Sequence, residues 1–132
     1  MGYGCQYVSS VTIPDSVTSI GRDAFRNCMY TKTIVIGSGV SDIGHEAFYG
    51  CYNVSEITNK YDGVQTIDDS FKSFGSVPTE KNAYFMDTNT SFKAAMADAG
   101  YALNFIYPEY TGTEDCEGIC GSQWYLLWPL FF

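Results

Sequence analysis

Apolar and polar residues alternate over two short stretches of the chain, Ser10-Val11-Thr12-Ile13 and Thr33-Ile34-Val35-Ile36, with Val35 the one departure. A period of two predicts short, half-buried strands. Turn residues follow each of them: Pro14-Asp15 in the first case and Gly37-Ser38-Gly39 in the second. Next come Val17 and Ile20, then Gly21 and the pair Ala24-Phe25. The second stretch answers with Val40, Ile43, Gly44, Ala47 and Phe48. Their spacing predicts a short helical or 3₁₀ turn on a wall opposite the strand.

The two stretches are copies of one unit. At a shift of 23, Cys5, Cys28 and Cys51 share a column, with Phe74 in the fourth place. Ala24, Ala47 and Ser70 share another, and Phe25, Phe48 and Phe71 sit beside it. Val11, Ile34 and Ile57 match, as do Val17, Val40 and Val64, and Ile20, Ile43 and Ile67. The third copy is irregular: it gains one residue before Val64 and loses one between Ile67 and Phe71. Self-similarity at a fixed period near 20–50 residues signals a solenoid, because one such unit cannot bury its own apolar face. Stacking sets equivalent residues on one another, so fixed positions are predicted to lie inside and variable ones to face water.

Beyond Phe74 the register dissolves into the loop "GSVPTEKN". "AYFMD" reads as a strand, and "NTSFKAAMADAG" as a helix with Phe92, Ala95, Met96 and Ala99 on one face. Asn89 or Thr90 is suited to cap its start and Gly100 its end. "YALNFIY" alternates as a further strand, with Leu103 and Phe105 on one face, and Pro108 stops it. The predicted organisation is repeats over 1–77, a capping unit over 78–108 and a tail over 109–132. "YGC" at 3–5 matches "YGC" at 49–51, so the chain enters in the middle of a repeat, and a piece of a longer array is the expectation. For the tail, docking on the repeats, the stub of a further domain and out-of-frame translation all remain open.

Composition narrows the function. The chain has 132 residues, 45% of them hydrophobic, enough for one domain with a core. Seven basic against fifteen acidic residues leave a net charge of −8, with no basic cluster to displace counterions from a phosphate backbone. Nucleic acid and anionic membrane surfaces are therefore disfavoured. The first ten residues carry no secretory signal pattern. The longest apolar run, 124–132, has nine residues, too few to cross a bilayer.

The stretch "VTIPDSVTSIGRDAFRNC", a strand followed by I-P, V-xx-I-G and A-F-xx-C, resembles the BspA-like leucine-rich repeat. The second copy departs in one place, with Gly37 for the proline. The resemblance is clear over 2–57 and weaker to about 107. It implies an α/β solenoid of leucine-rich-repeat coils with short parallel strands, closed by a strand–helix–strand cap. It also implies a cell-surface or secreted, adhesion-like module whose partners are proteins, host extracellular matrix among them. The competing implication is an architectural spacer, or an accessory segment of a larger surface protein or enzyme.

A solenoid presents one set of residues repeatedly on its strand face. Here the set is Ser10, Thr12, Thr33, Val35, Glu56 and Thr58, which are the candidate binding residues. Catalysis is not expected: no nucleophile elbow, phosphate loop or dinucleotide fingerprint is present, and neither a cofactor nor a metal is assigned. His45 stands where Arg22 stands one copy earlier, which reads as a solvated position. Asp23, Glu46 and the Asp68-Asp69 pair read as acidic bias at the start of a helical turn, with a weak cation site left open. Cys5, Cys28 and Cys51 read as buried structural thiols, because side chains pointing the same way from adjacent coils make poor disulfide geometry. Cys116 and Cys120 fit a local disulfide or two free thiols. Asn53-Val54-Ser55 and Asn89-Thr90-Ser91 fit the glycosylation sequon.

Overall fold

A computed structural model describes residues 7–107. Each coil contributes one strand to a main sheet: β1 (Ser10–Ile13), β3 (Thr33–Ile36) and β5 (Glu56–Asn59), followed by β7 (Asn82–Met86) and β8 (Ala102–Ile106). All pairings are parallel, in the order β1-β3-β5-β7-β8. Three two-residue strands, β2 (Ser19–Ile20), β4 (Asp42–Ile43) and β6 (Thr66–Ile67), form a second parallel sheet on the opposite wall. The one helix among the described residues, α1 (Thr90–Asp98), lies between β7 and β8. The described residues form a solenoid of parallel coils that ends in a strand–helix–strand unit.

The pleat sends alternate residues inward. One inward column runs Val11, Ile34, Ile57, Ala83, Leu103, and the next runs Ile13, Ile36, Asn59, Phe85, Phe105. Under them the phenylalanine column packs ring on ring. Phe25 and Phe48 are 5.3 Å apart and tilted by 7°, and Phe48 and Phe71 are 5.3 Å apart and tilted by 5°. The stack then turns edge-to-face, through Phe71 against Phe92 and Phe92 against Phe85, carrying the core into α1 and β7. Gly44 shows why the repeat keeps a glycine here: a Cβ at this position would lie 2.7 Å from the backbone nitrogen of Arg22 in the coil before.

The opposite wall is a turn with 3₁₀-type bonds, not an α-helix, and it is also bonded to its neighbours. The N–H groups of Asp23, Phe25 and Asn27 donate to the carbonyls of His45, Ala47 and Tyr49 in the next coil. Glu46, Phe48 and Gly50 donate in the same way to Asp68, Ser70 and Lys72. The N–H groups between them bond three residues back within the turn, Ala24 to Gly21 and Arg26 to Asp23, then Ala47 to Gly44 and Tyr49 to Glu46, in the 3₁₀ pattern. The acidic column occupies left-handed backbone, with Asp23, Glu46 and Asp69 at φ of 59°, 54° and 50°. Asp is one of the residue types that tolerates the left-handed region, which suits Asp23 and Asp69.

The third copy differs from its sequence reading at one column. Val64 is 66% exposed, and the inward place belongs to Gln65, which is 2% exposed. Gln65 donates through Nε2 to the Val40 carbonyl (2.7 Å), and its Oε1 accepts from Asn59 Nδ2 (2.7 Å) and Asn89 Nδ2 (3.0 Å). Asn89 accepts through Oδ1 from the Phe92 backbone N–H, which caps α1. Three buried amides thus join the third coil to the C-terminal unit, and no buried side-chain polar atom among the described residues lacks a partner. The helix ends as expected near Gly100 (φ 85°): the Gly100 N–H donates to Ala97 and the Tyr101 N–H to Met96, a Schellman closure. Phe92 and Met96 are buried, with Ala95 and Ala99 packed beside them. At the far end Leu103 and Phe105 remain 36% and 42% exposed, so the inward columns lose cover at β8.

Truncating Phe48, in the middle of the stack, to Ala is expected to cost ~3–5 kcal/mol in urea unfolding. Gln65→Ala leaves Asn59, Asn89 and the Val40 carbonyl short of partners and is expected to cost about 1–3 kcal/mol, whereas Val64→Ala should be near neutral. Equal losses at 64 and 65 would contradict the assigned register.

Candidate functional site

The strand face gathers all six sequence-predicted residues. Ser10, Thr33 and Glu56 form one outward column, and Thr12, Val35 and Thr58 the other, in direct register. All are exposed or half-buried. The face extends further than the repeat period indicated. Asn82 and Ala102 continue the first column, and Tyr84 and Asn104 the second. These were missed because the step from β5 to β7 is longer than the 23-residue repeat and the step from β7 to β8 is shorter. The alternation in "NAYFM" was the signal that could have placed Tyr84 outward. Tyr84 is the only aromatic residue in either column. Asn104 Nδ2 donates to Asn82 Oδ1 across the strands (3.3 Å), fixing both amides.

The rim of this face is pinned by Asp15. Its carboxylate accepts from the Ser38 backbone N–H (2.8 Å) and lies 3.2 Å from Lys60 Nζ. The Ser38 N–H, and then Lys60, hold the Asp15 carboxyl below the usual carboxylate value. One side chain thereby ties the turn after β1 to the second and third coils.

The turn wall is the charged surface. His45 is half-buried rather than fully solvated, as its released position had suggested. Its Nδ1 lies 3.5 Å from Asp68 Oδ1, and its Nε2 lies 3.7 Å from Glu46 Oε2. Arg26 pairs with Glu46 and, at 3.4 Å, with Asp23, while its guanidinium lies 4.3 Å over the Tyr49 ring. Between the third coil and α1 runs a cleft of about 590 Å³, lined by Ile67, Asp69, Phe71, Lys72, Ala95 and Asp98 among others.

The cysteine column departs from the sequence reading. Cys28 is disulfide-bonded, not a buried thiol. Its partner lies outside the described residues, as do Cys116 and Cys120. Cys51 is free and buried, its thiol donating to the Phe25 carbonyl at 3.1 Å. Burial pushes the Cys51 thiol up to about 12. The sequon at Asn89 is closed by structure, since its amide is fully buried in the helix cap.

Among the described residues no helix is long and apolar enough to cross a membrane. The family model for the BspA type leucine rich repeat region (6 copies) matches residues 3–99. No curated protein sequence and no solved structure matches the chain.

A thiol so strongly protonated and enclosed is unreactive, because the thiolate is the nucleophile. In native protein, iodoacetamide followed by peptide mapping should leave Cys51 and Cys28 unmodified. Denaturation alone should expose Cys51, and Cys28 should label only after reduction as well. Labelling of Cys51 in the native state would contradict its burial.

Proposed function

The chain belongs to the BspA-type leucine-rich repeat family, and we propose that it is a non-catalytic protein-binding module of a cell-surface or secreted protein. The observation that carries this reading is the strand face. Five parallel strands hold two outward columns in strict register, so their side chains keep fixed separations on a stiff support. Such a face suits a large partner better than a small molecule, because it is broad and lacks an enclosing pocket.

The face is rich in small hydroxyl and amide groups, which contribute little binding energy alone. Binding energy concentrates in aromatic and arginine anchors. Tyr84 fills that role here, between Thr58 and Asn104 in its column. The family supports a protein-interaction module, and we take extracellular-matrix proteins as the partner class and adhesion as the role.

The test is a pull-down of the full chain against purified matrix proteins, with folding confirmed by circular dichroism. One matrix protein should be retained, and Tyr84→Ala should weaken its binding by roughly fivefold or more. Thr12→Ala, far along the other end of the same column, should have a smaller effect. A folded chain that retains no matrix protein would support the spacer reading instead, and binding unchanged by Tyr84→Ala would remove the strand face from the interaction.

A further inference from the structure

The turn wall carries a constellation that the strand face does not use. His45 comes from one coil and Asp68 and Asp69 from the next, so stacking brings together residues that are far apart in sequence. One ligand atom from each lies within 4.8 Å of the other two.

The preceding interval between coils shows how this wall otherwise treats converging acids. There Arg26 sits between Asp23 and Glu46 and pairs with both. One repeat later the place of Arg26 is taken by Tyr49. Among the described residues no Lys or Arg pairs with Asp68 or Asp69. The group that approaches them is an imidazole, which offers a lone pair where a guanidinium offers only N–H donors.

The two nitrogens of that imidazole face different carboxylates. Nε2 looks toward Glu46, which Arg26 holds in place, and Nδ1 looks toward Asp68. A cation held between Nδ1 and the two aspartates would take the Nδ1 lone pair and leave the proton on Nε2, facing Glu46. Metal-ligating histidines are oriented in this manner, by a carboxylate on the nitrogen that does not bind the ion.

We propose that His45 Nδ1, Asp68 and Asp69 form a site for a divalent cation of the manganese-to-zinc series, with Glu46 positioning the imidazole. One nitrogen and two carboxylate oxygens suit these ions, whereas calcium and magnesium prefer oxygen alone. Bonds of about 2.0–2.2 Å require the donors to draw closer by roughly 1 Å. Asp68 and Asp69 are exposed, so side-chain rotation suffices. Three protein ligands leave the remaining positions to water, and Asp69 also borders the cleft beside α1, giving access from solvent.

Mn²⁺ is the probe of choice, because it takes nitrogen and oxygen donors and leaves thiols to softer ions. In the ¹⁵N-labelled full chain, Mn²⁺ below one equivalent should broaden the amide signals of 44–46 and 67–70 first. Signals near Asp62, Glu80 and Asp87, exposed acids elsewhere, should persist. His45→Gln should raise the Mn²⁺ concentration needed by about tenfold or more, and Glu46→Gln by less. Asp69→Asn gives an independent reading should the His45 variant fold poorly. The proposal is overturned if broadening is absent, if it spreads equally over all exposed acids, or if it is unchanged by both His45→Gln and Asp69→Asn.

Discussion

The structure depends on one constraint: each coil must lie on the next at the spacing of hydrogen-bonded strands, about 4.7–4.9 Å. Phenyl rings stacked at 5.3 Å fit that repeat closely, which is why one ring type can recur at 25, 48 and 71. The same spacing forbids a Cβ at Gly44. It also turns the second wall into a set of bonds between coils, at the cost of left-handed backbone at 23, 46 and 69. Sequence fixity in this molecule is therefore a record of distances between neighbouring coils.

Where stacking places like on like, the sequence was readable. The strand register, the Phe column and the apolar stripe of α1 all appeared as recurring letters. What escaped were features that stacking makes unlike. Gln65 replaces a valine because Asn59 and Asn89 demand amide partners, and neither demand is visible one column at a time. Val64, one residue earlier and chemically matched to Val17 and Val40, therefore drew the alignment to the wrong place. The disulfide at Cys28 was missed for another reason: side chains pointing the same way from stacked coils suggested poor disulfide geometry for the whole column, yet Cys28 is bonded and Cys51 is not. The candidate binding columns were legible only over the three coils that keep the period, so Tyr84 lay beyond reach of the repeat.

The two walls divide the chemistry of the surface. The strand face keeps small, neutral groups with little charge beyond Glu56. The turn wall concentrates acids, since its left-handed positions accept Asp readily. What meets those acids differs from coil to coil: Arg26 pairs with them in one interval, and the His45 imidazole approaches them in the next. A repeat architecture thus differentiates by single substitutions within a shared geometry.

Strand pairings through the first three coils join residues a constant 23 apart. Closing a loop costs an entropy set by its length, and each coil contacts only its neighbours, so every interface is nearly equivalent. Tension along the axis would load these interfaces in series. Each coil that parted would yield slack on the order of 70–80 Å of extended chain. Under load such a chain would lengthen in steps, one coil at a time, with the remaining coils still folded.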